Sequence, residues 1–160
     1  MRKLGALPRQ IASYNTCQHK GRVFHFSQRA AKLRVTEVLL GDRVEFVEVQ
    51  TDVRCKTSND KVIGCCSLDG RILVMSGRKS DLFAALVNVD EGKLSAETIH
   101  VISLKVKGKI SWAGVPFLCQ VSEDRALLYL NPQRRMWYCD VKGCDINLRK
   151  LSTQMPAKGG

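Results

Sequence analysis

Apolar positions along this chain fall in short strand-like runs separated by polar turns, and the runs recur in a fixed order. Three windows superimpose: Thr16-Cys-Gln-His-Lys-Gly-Arg-Val-Phe-His-Phe-Ser27, Cys65-Cys-Ser-Leu-Asp-Gly-Arg-Ile-Leu-Val-Met-Ser76 and Leu118-Cys-Gln-Val-Ser-Glu-Asp-Arg-Ala-Leu-Leu-Tyr-Leu130, the last with one extra turn residue. Each reads as a strand with a cysteine, a short polar turn, an arginine and a second apolar strand. The cysteines Cys17, Cys66 and Cys119 stand 49 and 53 residues apart, and the matching arginines are Arg22, Arg71 and Arg125. Self-similarity at such a period is the signature of a repeat architecture.

A third run follows in each repeat, Leu33 to Leu40, Leu82 to Val89 and Met136 to Val141, closed by a turn holding Gly41, Gly92 or Gly143, which are spaced by 51 residues both times. Glycine tolerates the positive φ of a tight hairpin, so these turns are expected to use it there. A fourth run completes the unit: Val44 to Val49, Glu97 to Ile102 and Asp145 to Leu151. The last of these alternates polar and apolar residues, as does Lys105-Val-Lys-Gly-Lys109, and period two predicts a strand with one wet face. The expected fold class is all-β, with three tandem four-stranded antiparallel units over about residues 11–54, 61–103 and 111–151 of one domain. A basic segment (1–10) precedes it and a flexible tail (152–160) follows.

The second strand of each unit is nearly continuously apolar and the fourth is amphipathic. That gradient is expected where four-stranded sheets stack face to face around a channel, with inner strands buried and outer edges solvated. In repeat length and strand order, from about Ile11 to Leu151, the chain resembles kelch-type and F-box-associated β-propeller repeats. The resemblance is architectural: where kelch blades carry a diglycine, this chain has Ser27-Gln28, Ser76-Gly77 and Asn131-Pro132, and only Trp137-Tyr138 matches the aromatic pattern of later strands. It implies a partial propeller. A β-sandwich or open barrel uses the same spacing of short strands and turns, and is the alternative. Closed propellers typically have about four to eight blades, so three would leave two sheet faces uncovered. Uncovered apolar faces mark interaction sites, and the chain is expected to complete its architecture with a second copy or a partner chain.

Composition supports a folded domain: the 160 residues are 44% hydrophobic and 26% charged, unlike a disordered chain. The longest apolar stretch, Asp81 to Asn88, falls well short of the roughly 20 residues of a membrane-spanning helix, so no membrane span is expected. Seven cysteines, several inside apolar runs and without a secretory signal, point to reduced thiols in an intracellular compartment, cytoplasm or nucleus, with organelle targeting by the basic start as the alternative. Cys17, Cys65, Cys66 and Cys119 read as small buried hydrophobes.

Candidate chemistry is sparse. Cys139 and Cys144 have C-x4-C spacing without a second pair or a nearby histidine, so no metal site is expected. Cys65-Cys66 lacks the C-x-x-C spacing of a redox centre. A serine or cysteine nucleophile needs a histidine base held by a third group, and His19, His25 and His100 lie outside any nucleophile motif. Glu123-Asp124 and Asp90-Glu91 read as turn acids, and no glycine-rich phosphate loop is present. No catalytic residue and no cofactor are expected, and the protein reads as a non-enzyme.

Charge is more informative. The net charge is +11, and residues 1–36 hold eight basic residues and no acid. A basic surface attracts polyanions whatever the fold. Arg2, Lys3 and Arg9 head this candidate surface; Lys105, Lys107 and Lys109, on one face of an extended segment, and Arg134 and Arg135 could join it. Arginine beside aromatics holds phosphate while a base stacks, which makes Trp137 and Tyr138 candidate interaction aromatics. The competing reading packs Trp137 between sheets and uses the lysines to guard an edge strand. Two functions follow as expectations: a non-catalytic protein-interaction or assembly module, and a basic RNA-associated subunit of a ribonucleoprotein.

Overall fold

A computed structural model describes residues 2–4, 15–29, 32–51, 61–78, 81–90, 93–103, 117–130 and 135–151. The described chain is nearly all β. Its strands are β1 (Arg2–Leu4), β2 (Thr16–His19), β3 (Arg22–Arg29), β4 (Lys32–Leu40), β5 (Val44–Thr51), β6 (Lys61–Leu68), β7 (Arg71–Arg78), β8 (Asp81–Asp90), β9 (Lys93–Ser103), β10 (Phe117–Gln120), β11 (Arg125–Leu130), β12 (Arg135–Lys142) and β13 (Asp145–Lys150). Consecutive strands pair antiparallel into three four-stranded meanders, β2 to β5, β6 to β9 and β10 to β13. These are the three units that the repeat predicted. No barrel closes among the described residues.

Turn chemistry differs from the expectation. Lys20 and Gly21, and likewise Asp69 and Gly70, all have positive φ, so the β2–β3 and β6–β7 connections are two-residue hairpins with both central residues left-handed. Of the glycines spaced by 51 residues, Gly143 adopts φ +57 in the β12–β13 turn, while Gly41 sits in a longer turn without a positive φ, and Gly92 lies outside the described residues. A longer loop spreads the reversal over several ordinary residues.

Two pairings were not foreseen. β1 adds to β5 with Arg2 opposite Glu48, so the start of the basic segment is a strand. The end of β5 and the start of β9 meet in a short parallel contact, Gln50 with Lys93 and Thr51 with Leu94, joining the first two meanders, with β1, into one nine-stranded sheet.

The meanders also stack. Phe24, Phe26, Leu33, Val35 and Val49 of the first interlock with Val62, Cys65, Ile72, Val74, Ala85 and Val87 of the second. The opposite face of the second, with Cys66, Leu68, Leu73, Met75, Leu82, Ala84 and Leu86, packs on Ala126, Leu128, Trp137, Cys139, Val141 and Ile146 of the third. Alternate side chains of β6 and β7 therefore point into different cores, which is why these strands read as continuous apolar runs. Strand β6 touches β2 and β3 on one side and β10 on the other.

The two uncovered outer faces expected from sequence are not both found. On the outward face of the first sheet His25, Ser27, Thr36 and Val38 are buried while Val23, Arg34, Phe46 and Glu48 are half-buried, and among the described residues the third sheet presents the more open outward face.

At Gly64, on a bulge of β6, an added Cβ would come within 2.7 Å of the Leu118 Cβ in β10. A Cβ cannot swing aside, so Gly64→Ala should cost about 1–3 kcal/mol by forcing the second and third sheets apart. A lowered urea midpoint is the expected result; an unchanged one would show that the sheets do not meet at this point.

Candidate functional site

The repeat defines equivalent positions. Two residues after the aligned arginine come Phe24, Leu73 and Leu127, and four residues after it come Phe26, Met75 and Tyr129. Phe24, Phe26, Leu73 and Met75 are each fully buried under the following sheet. Leu127 and Tyr129 are only half-buried, because no described sheet follows the third. The same holds across the strand pair: Glu37 lies opposite Phe24, Leu86 opposite Leu73 and Tyr138 opposite Leu127. Extending the register gives the rows Cys119, Leu127, Tyr138 and Arg149, then Tyr129 and Met136, then Arg125, Asp140 and Asn147 on one face. This is the candidate site.

Its electrostatics are distinct. The Arg149 guanidinium carbon sits 5.6 Å from the centre of the Tyr138 ring, within cation–π range, and makes no ion pair among the described residues. The three aligned arginines, by contrast, are neutralised. Arg22 donates to both carboxylate oxygens of buried Glu37 at 2.7 and 2.9 Å while covering the Phe24 ring; Arg71 donates to Asp69 at 2.8 Å and to the Gly143 carbonyl; Arg125 pairs with Asp140 at 2.9 Å.

The residues singled out from sequence scatter. Arg2 and Lys3 lie on β1, Arg135 opens β12 half-buried, and Tyr138 lies on the open face. Trp137 belongs to the core between the second and third sheets, because neighbouring residues of a strand point to opposite faces. Arg9, Lys105, Lys107, Lys109 and Arg134 lie outside the described residues. Sequence reasoning missed Arg149, Leu127, Tyr129 and Met136; the alternation of β13 and the aligned register together could have placed them.

Groups with catalytic chemistry are arranged otherwise. The Ser67 hydroxyl and His19 Nδ1 share a hydrogen bond of 2.6 Å across the first two sheets, but His19 Nε2 is buried without a hydrogen-bond partner among the described residues, so no described carboxylate orients the ring as a general base requires. Cys139 faces the core and Cys144 is exposed. Burial pushes the thiols of Cys66 and Cys139 up to about 12, and the Cys17 thiol together with burial raises Cys65. Such thiols stay protonated and unreactive at neutral pH. Among the described residues no three metal-ligating side chains converge, and no helix is long and apolar enough to cross a membrane.

No family model matches the chain, and no curated protein or solved structure matches it either.

On the outward face of the first sheet, Thr16, His25, Thr36 and Glu48 form one row, with Glu48 held by Arg34 at 3.3 Å. His25 is fully buried and both its ring nitrogens lack hydrogen-bond partners among the described residues; burial lowers its pKa below the usual histidine value of 6.5. The unfolded chain therefore takes up that proton first, and stability present above about pH 6.5 is lost as pH falls toward the lowered folded value. The thermal midpoint should fall between about pH 7.5 and pH 5, less steeply in His25→Leu. His19, lowered by burial and by Lys20 and Arg22, acts in the same direction and remains in that variant. An identical pH slope in His25→Leu would refute this role of His25.

Proposed function

We propose that the chain is a non-catalytic interaction module whose contact surface is the outward face of the third sheet, and that its meanders are the blades of a partial propeller laid out like kelch-type repeats. One observation carries the reading. Leu127, Tyr129 and Tyr138 occupy positions that the first two meanders bury beneath the next sheet, yet they remain half-exposed. Apolar and aromatic groups left at the end of a stack gain free energy when a partner covers them, about 25 cal/mol for each Å² removed from water. A sheet from a partner chain or from a second copy would cover them as Phe24 and Leu73 are covered. The free thiols of the described cysteines suit a reducing, intracellular setting.

The Tyr138–Arg149 pair favours a second reading, an RNA-associated subunit, because a cation held on an aromatic ring suits phosphate beside a stacked base.

Absolute mass by light scattering at moderate salt, with and without nuclease, tests these readings. A dimer or heavier species insensitive to nuclease is expected if protein completes the architecture, and a mass that falls with nuclease is expected if RNA occupies the face. A clean monomer under both conditions would sink the reading in which the chain completes its own architecture.

A further inference from the structure

We infer that the outward face of the third sheet binds single-stranded nucleic acid, stacking bases on Tyr138 and Tyr129 and holding phosphate with Arg149. This rests on the reading of that face as the contact surface and names its ligand. The first argument is what the repeat changes at equivalent positions. Where the inner junctions carry Phe26 and Met75, the third sheet carries Tyr129; where they carry Glu37 and Leu86, it carries Tyr138. Phe26, Met75 and Leu86 fill the cores of their sheet junctions and Glu37 is neutralised there by Arg22, whereas the third sheet sets flat rings with polar tips at these positions, which suit a ligand with π-faces and a wet rim better than a dry sheet.

The second argument is geometric. Tyr138 stands opposite Leu127 and Tyr129 opposite Met136, so the two rings are diagonal neighbours on adjacent antiparallel strands, with Cα atoms roughly 7–8 Å apart. An open four-stranded sheet with aromatics on neighbouring strands is a platform for successive unstacked bases, and it is indifferent to their sequence because every base has a π-face. A duplex hides those faces.

The third argument is charge. The outward face itself carries the cations Arg125, Lys142 and Arg149 against the acids Asp140 and Asp145, in a chain of net charge +11. Arg125 is spent on Asp140, whereas Arg149 rests on the Tyr138 ring with its donors uncommitted to any carboxylate among the described residues. A guanidinium stacked this way keeps its edge for a bidentate phosphate contact. A second copy is a poorer occupant. Its first-sheet outward face already buries His25, Ser27, Thr36 and Val38, and self-pairing of third sheets would set Arg149 against a face whose net charge is also positive.

The test is fluorescence anisotropy of labelled oligo-U and oligo-A, each of about ten nucleotides, with the full chain and a matched duplex as control. Both single strands should bind more tightly than the duplex. Tyr138→Ala should weaken binding about tenfold or more through the lost stack, while Tyr138→Phe, which keeps the ring, should bind as the wild type does. Arg149→Gln should reduce the salt dependence by about 0.7 in the slope of log K against log salt, the share of one phosphate contact on a single strand. Lys20→Ala, in the exposed β2–β3 turn, should change neither. The thermal midpoint of each variant establishes that it is folded, and the Phe variant reports on the ring even if the Ala variant unfolds. Binding that survives in folded Tyr138→Ala but is lost on neutralising Arg2, Lys3 and Arg9 would overturn the inference and move the contact to the N-terminal segment. Equal binding of an acidic polyglutamate peptide would overturn it in favour of an acidic protein partner. No RNA binding together with Tyr138-dependent dimerisation would overturn the nucleic-acid ligand and leave the contact face standing, whereas insensitivity of both to Tyr138 would overturn the two readings together.

Discussion

Burial of the second meander on both of its faces is the constraint from which the rest of the structure follows. Leu68, Leu73, Met75, Leu82 and Leu86 point to one side and Ile72, Val74, Ala85 and Val87 to the other. Each large side chain fully removed from water is worth about 1.5–3 kcal/mol, so neither side can be left open. The first meander covers one face with Phe24 and Phe26, and the third covers the other with Leu128 and Trp137. The outer sheets thus share one partner, and removing either would strand half of the apolar surface of the middle sheet.

Hydrophobic contact brings these layers together without specifying their offset, since it has no direction. Polar links near the hairpin ends supply the direction. Ser67 bonds to His19 across the first junction, while the Asp69 amide donates to the Glu123 carbonyl and Arg71 to the Gly143 carbonyl across the second. Groups of this kind lose more when left unpaired in a dry place than they gain when paired, so they penalise a slipped stack. The aligned arginines show one position put to three uses: Arg22 neutralises the buried Glu37, Arg71 bridges two sheets, and Arg125 pairs at the surface with Asp140.

A stack of repeats has ends, and the two ends here are treated differently. The outward face of the first sheet is buried around His25, whose nitrogens, without hydrogen-bond partners among the described residues, favour the neutral ring. The outward face of the third sheet keeps the repeat's apolar positions but changes their chemistry to Tyr129, Met136, Tyr138 and Arg149. Terminal repeats of a stack are ordinarily capped by a polar outer face, and this retained aromatic surface is what the proposed contact face rests on.

The sequence by itself determined what depends on neighbouring residues: all-β character, three four-stranded meanders, the alignment of Cys17, Cys66 and Cys119 and of Arg22, Arg71 and Arg125, and a short polar turn before each of those arginines. Period two, turn residues and repeat spacing are local signals, written within a few positions of where they act. Only the tertiary structure decided that β1 joins β5, that β5 meets β9, that the outward face of the first sheet buries His25, and that Trp137 is core while Tyr138 is surface. Those outcomes turn on contacts between residues far apart in the chain, and an alternating strand states that it has two faces without stating which one another sheet will cover.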